Sequence, residues 1–368
     1  MITPNPIIGT GLHAIGGVSA ASCYLPFERI KNWSWGTFWL IQALFAWLVM
    51  PLVIGYLTVP NLFTVLSNAP SSAFWTAFIL GAAYGFGGLS FGYAIRNIGY
   101  SLTYTISIGI SAVLGTIVPL IIKGNIAEQF MKAGGNIVLI GMIISVVGVA
   151  LCGKAGFMKE KGLAKKTGKD APHFNMKKGL ALTLFAGMLS AVWGISLEMG
   201  QPISDLAAQY GAGHFEGNAK LIVSSLGCLL TNFTWFTVAT IRDGSIKMLY
   251  KRKEIGSKKF YRNYGLSALT GALWYTQFFF YGLGHVKMGN FMFISWALHM
   301  SMLIFFSYII GVIMKEWKSV SRKNYITLII ALFTLVLSFV IMTIGTTKGE
   351  KSTVSHMNDV KNEWIRMA

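Results

Sequence analysis

The feature that most constrains this chain is the recurrence of apolar runs of about 20 residues, the length that crosses a hydrocarbon core of ~30 Å as a helix. The runs lie at about 7–26, 35–57, 73–94, 99–121, 134–152, 179–199, 219–241, 263–284, 291–314 and 325–345. Backbone in lipid must satisfy its own hydrogen bonds, so such runs fold as helices. Alternating strands of the kind that build membrane barrels are absent. The chain is 54% hydrophobic and 12% charged, about half the charge of a soluble domain. No positive region precedes the first run, and more runs follow it, so it reads as a helix rather than a cleaved signal. The expectation is an all-α membrane protein with ten transmembrane helices.

The net charge of +18 invites a nucleic-acid reading, but its distribution excludes one. Of 31 Lys and Arg residues, 23 fall in the joins after the first, third, fifth, seventh and ninth runs. Positive joins of this kind face the cytoplasm, so both termini are expected outside. Arg96, in the tight join after the third run, reads as one such anchor. Cys23, Cys152 and Cys228 lie in or beside apolar runs without metal or redox spacing, and read as small packing residues. No HExxH, CxxC, phosphate-loop or nucleophile-elbow pattern occurs, so neither an enzyme nor a cofactor is expected.

The basic join at 153–178 divides the chain into a five-helix half at 1–152 and another at 179–345, with a charged tail at 346–368. The halves resemble each other. Gly16-Gly-Val-Ser-Ala20 matches Gly187-Met-Leu-Ser-Ala191, and Gly81-Ala-Ala-Tyr84 matches Gly271-Ala-Leu-Trp274. At the same offset as the second match, Gly92 meets Gly282 and Gly99 meets Gly289. An odd number of helices per half places the halves in opposite orientations. The expected plan is therefore two inverted five-helix repeats with a site between them, as in many secondary transporters.

Ionisable and amide groups inside spans mark functional candidates. His13, Gly17, Ala20 and Tyr24 share one face of the first helix, although the glycines also suit plain helix packing and His13 also suits an interfacial place. Ser190, Gly194 and Glu198 share a face of the sixth. Glu198 is the acid within the expected spans; it reads as a proton carrier or as a solvated helix end. Trp274, Gln277 and Tyr281 recur at i, i+3 and i+7 of the eighth helix. Aromatic faces beside an amide suit a sugar, whose CH faces lie on rings and whose hydroxyls bond the amide. Ser295 and His299 lie four apart in the ninth helix, and His299 suits proton coupling or a structural bond. His285, beside Lys287, reads as interfacial.

These residues resemble the L-rhamnose–proton symporter family of the drug/metabolite transporter superfamily. The resemblance rests on His13 to Ala20, Tyr24, Pro26-Phe27 and Trp33-Ser-Trp35, on the Gly81 to Gly99 run, and on three later stretches. Those are Gly271 to Tyr281, Gly284-His285 with Ile294-Ser-Trp296, and Leu298 to Ser301 with Lys315-Glu-Trp317. The join from Met288 to Phe293 departs from the family pattern in being short and lacking acidic and proline residues. The resemblance implies a multi-pass permease of the bacterial inner membrane, bathed in lipid, importing L-rhamnose or a closely related 6-deoxyhexose with protons. Trp274, Gln277, Tyr281, Ser295, Trp296, His13 and Tyr24 are then the expected sugar contacts, and His299 and Glu198 the expected proton carriers. A permease or exporter of another small metabolite, or a membrane sensor that binds without transport, stays open at this point.

Overall fold

The structure is a computed structural model that describes residues 3–98, 100–167 and 176–367. Gly99, the Arg96 side chain and residues 168–175 of the long basic join lie outside the described residues. Every element among the described residues is helical. The long helices are α1 (Pro6–Ser22), α2 (Trp35–Thr58), α3 (Ser71–Ile98), α4 (Tyr100–Ile122), α5 (Gly135–Thr167), α6 (Met176–Met199), α7 (Gly217–Arg242), α8 (Ser257–Lys287), α9 (Ser295–Ile313) and α10 (Arg322–Met367).

Seven regions among the described residues are long and apolar enough to cross a membrane: those carrying α2, α4, α5, α6, α7, α9 and α10. The helices α1, α3 and α8 fall outside that set, and α1 has only 17 residues. Large apolar side chains stand exposed in stripes at helical spacing, such as Ile140, Ile143 and Val147 on α5 and Ile326, Ile329, Phe333, Leu337 and Val340 on α10. A soluble protein rarely exposes apolar faces this continuous. The chain is a multi-pass membrane protein.

Local chemistry sets the helix starts and bends. Asn5 caps α1, its Oδ1 accepting from the Ile8 N–H at 3.1 Å, with Pro6 opening the helix where a missing N–H costs nothing. Ser34 caps α2 in the same way, through Thr37 N–H. Midway along α2 the backbone widens at Phe45–Val49, where the Met50 N–H reaches back to the Phe45 carbonyl. Pro51 follows at once, and its missing N–H leaves the regular ladder open there. The wide turn carries Trp47, whose ring meets Trp274 of α8 edge-on at 5.1 Å.

Packing joins the two parts of the chain throughout. α1 lies against α8 and α9, α6 against α3 and α4, α2 against α7 and α8, and α5 against α10. One end of the bundle is sealed. Val59, Leu62 and Val65 from the α2–α3 join pack with Ile203 and Ala207 from the α6–α7 join and with Ala219 and Ile222 of α7. Asn218 Nδ2 donates to Thr58 Oγ1 at 2.8 Å across this layer.

The last helix does not stop near residue 345, as the apolar run suggests, but continues to Met367. Its extension holds the α8–α9 join. The Asn290 N–H donates to the Glu350 carboxylate, and Asn290 Nδ2 donates to Thr353 Oγ1 at 2.8 Å. The join itself is a tight turn opened by Gly289 at φ +54, with Met288, Phe291 and Ile294 fully buried beneath it. Charged residues expected in a free tail are therefore part of a helix with a packing role.

Candidate functional site

A cavity of about 520 Å³ lies between the two parts of the chain. Its wall is an almost continuous run of rings. Tyr24 stacks on Trp39 at 6.1 Å, Trp39 meets Trp47 at 6.3 Å, and Trp47 meets Trp274. Trp193 then touches Trp274 at 5.7 Å and Tyr84 at 4.9 Å. Phe278 and Trp296, stacked at 6.3 Å, complete the wall. Polar side chains that interrupt it include Gln277, Asn232, Ser107, Ser190 and Ser307. Near one end it is bounded by Glu28, Lys159, Glu160 and Glu316. There Lys159 Nζ donates to Glu316 at 2.6 Å, close over the Trp317 ring.

The helical period explains which expected residues reach this space. Trp274 and Gln277, three apart on α8, both line it, and the Gln277 amide has no hydrogen-bond partner among the described residues. Tyr24 lines it from the end of α1. Trp296 presents its ring, but its N–H is committed, donating to the Ser111 carbonyl at 2.9 Å. Its indole is gripped between two helices, because a Cβ at Gly194 of α6 would stand 2.6 Å from it and one at Gly115 of α4 nearer still. Small residues at 115 and 194 are what let the ring enter.

Tyr281 continues the Trp274 face but lies one layer behind the cavity. Its ring sits 5.5 Å from His13, 5.4 Å from His299 and 5.6 Å from His285. His13 and His299 are fully buried and meet edge-on at 5.9 Å. His285 is also buried, at 4% exposure, and packed on Tyr281. The turn over Met288, Phe291 and Ile294 covers what would otherwise be a water-facing helix end. Ser295 is buried at the start of α9 and does not line the cavity, its hydroxyl unpartnered among the described residues. Glu198 lies away from the cavity, paired with Lys123 Nζ at 2.5 Å near the sealed end.

Several buried residues, in the wall and away from it, were not expected. Asn232 accepts from Trp39 Nε1 at 3.1 Å and donates to the Gly85 carbonyl at 3.2 Å, tying α7 to α2 and α3. Trp47 and Trp193 have indole N–H groups without partners among the described residues. Gln42, fully buried on α2, has neither amide atom bonded. Lys220 is buried on α7 and donates to Gln201 Oε1 at 2.5 Å. Asn232, Gln42 and Lys220 carry the signal that singled out Gln277, a strongly polar group in an apolar run. Trp193 carries none, since a tryptophan in a membrane run is ordinary.

Known proteins share this pattern along nearly the whole chain. A sequence model described as L-rhamnose-proton symport protein (RhaT) matches residues 3–348. The L-rhamnose-proton symporter of Shigella boydii serotype 18 is 32% identical over 342 residues, covering 92% of this chain and 97% of that protein. The L-rhamnose-proton symporter of Escherichia coli O17:K52:H18 is 31% identical with the same coverage. The chain belongs to the L-rhamnose–proton symport family, a family of transporters rather than enzymes.

Proposed function

We propose that this protein imports L-rhamnose, or a closely related 6-deoxyhexose, together with protons across the inner membrane of a bacterium by alternating access. The observation that carries the reading is the ring-walled cavity with the uncommitted Gln277 amide in it. A 6-deoxyhexose has CH faces and a methyl group that favour aromatic contact, and hydroxyls that need a partner such as an amide. A volume of about 520 Å³ lies within the range of small-ligand sites and leaves room for accompanying water. Trp274, Gln277 and Tyr24 are the proposed sugar contacts from the sequence, joined by Trp47 and Trp193. Trp296 offers a ring face only. His13, Tyr281 and Ser295 act from behind the wall, and His299 is the proposed proton carrier, with Glu198 as its rival.

The fold is proposed to cross the membrane ten times, as two inverted five-helix halves at 1–152 and 179–345. Helix neighbours support this. α1 packs on α8 and α9 as α6 packs on α3 and α4, and α3 packs on α7 as α8 packs on α2. Matched glycines make matched contacts. Gly81 abuts the Ser224 backbone where α3 meets α7, and Gly271 abuts the backbone of Gln42 and Ala46 where α8 meets α2. Gly16 abuts α8 and α9, and Gly187 abuts Ser107 and Ile110 of α4. The matched pair Tyr84 and Trp274 flank one ring, Trp193. With the basic joins in the cytoplasm, the charged end of the cavity faces inward and the sealed end outward.

Reconstituted into proteoliposomes with an inward proton gradient, the purified protein is expected to accumulate labelled L-rhamnose above the external level. Collapse of the gradient should return it to equilibrium. Accumulation that ignores the gradient refutes the coupling, and failure of unlabelled L-rhamnose to compete refutes the substrate.

A further inference from the structure

His13 and His299, behind the cavity wall, share with Gln42 a complete lack of hydrogen-bond partners among the described residues. Most buried hydroxyls here bond a carbonyl in their own or a neighbouring helix, as Thr183, Ser196, Ser267 and Thr270 do. All four ring nitrogens of His13 and His299 lack a hydrogen-bond partner among the described residues, although both residues are fully buried. Leaving a buried polar group unbonded is costly, and a histidine kept only for packing would be held by at least one bond. The fold also makes room for both rings. A Cβ at Gly284 of α8 would stand 3.0 Å from His13 Cε1 and Nε2, and one at Gly16 of α1 would stand 2.9 Å from His299 Cε1.

The charged and titratable groups around this pair form a graded series. From α8, Tyr281 touches both rings and His285 stacks on Tyr281, while Lys287 lies two residues nearer the helix end, its Nζ donating to the Thr3 carbonyl. From α9 comes His299 itself. From α10, Lys348 and Lys351 stand near Ile7 and Thr10, toward the start of α1. His285 keeps one nitrogen, Nδ1, unpartnered among the described residues. On the other side, the His299 ring lies 6.1 Å from Phe278, which lines the cavity.

We propose that His13 shares the coupling proton with His299, and that the proton reaches the pair through His285. This rests on the reading of the protein as a proton symporter. An unoccupied lone pair on one imidazole takes the proton and becomes an N–H. The charge so formed opposes a second proton on the facing ring, so the pair carries one proton per cycle. The proton leaves to cavity water after the sugar has gone inward, and the lone pair is restored.

The test uses the full chain in proteoliposomes and compares two assays. Counterflow exchanges sugar without net proton movement, whereas gradient-driven uptake needs the proton. His13→Gln, and independently His13→Asn in case one variant fails to fold, should lose accumulation down to the equilibrium level while counterflow falls far less. His299→Gln should show the same split. His285→Gln should slow gradient-driven uptake yet reach the wild-type final level, because a path has been narrowed and the store kept. Wild-type accumulation in both His13 variants overturns the proposal. So does a loss of accumulation that merely matches the loss of counterflow, which would make His13 a packing or sugar-contact residue. If the wild-type protein shows counterflow but no response to the gradient, the symport reading itself has failed.

Discussion

Gln277→Ala is expected to raise the half-saturating L-rhamnose concentration in counterflow by about 10- to 100-fold. The side chain lines the cavity, is 4% exposed, and has an amide committed to no other group among the described residues. Its hydrogen bonds are therefore available to a sugar and to little else. Losing such a bond costs about 1–3 kcal/mol, and each 1.4 kcal/mol is a factor of ten. Asn232 cannot take over, since its amide already accepts from Trp39 and donates to the Gly85 carbonyl. Counterflow measured over a range of sugar concentrations gives the number. An unchanged half-saturation would remove Gln277 from the binding site.

Gly194→Leu is expected to eliminate uptake, and Trp296→Ala in the same chain to restore part of it. A Cβ at residue 194 falls 2.6 Å from the Trp296 ring, and the rest of a leucine would claim the space the indole fills. Forcing extra atoms into a packed core costs about 1–3 kcal/mol and displaces what is already there. The displaced ring is also a wall of the cavity, so the shape of the site goes with it. Removing Trp296 alone leaves a void, a change that costs about 3–5 kcal/mol for a large aromatic residue. The two defects are complementary, and the double variant should be more stable than the sum of the singles predicts. Thermal unfolding of the purified variants, together with uptake, tests this. Strict additivity would mean that the two residues do not meet in the folded protein.

The helices were legible in the sequence because lipid leaves an apolar run no other fold. The cavity was legible in part. Trp274, Gln277 and Tyr24 line it. Tyr281 shows the limit of helical periodicity. It shares a face with Trp274, but seven residues of helix span about 10 Å, enough to carry the ring out of the cavity and in among the histidines. Burial of His285 depends on a turn fixed by Glu350, 60 residues beyond Asn290 in the chain, and no local pattern foretells that contact. Glu198 shows the reverse case. Both a solvated end and a proton carrier were open, and its partner, Lys123, lies 75 residues away at the end of α4.

The ring-lined wall also has an optical consequence. Six of the eleven tryptophans, at 35, 39, 47, 193, 274 and 296, surround one cavity. Adjacent rings along it stand within 6.3 Å, as at Trp39 and Trp47 or Trp47 and Trp274. Excitation absorbed by one indole can pass to its neighbours, so the cluster behaves more as one fluorophore than as six. Displacement of water from any part of the wall by a bound molecule is then registered in the ultraviolet emission of the whole. The protein carries its own gauge of occupancy, one that needs no label, no membrane and no gradient, and that separates binding from every later step of the cycle.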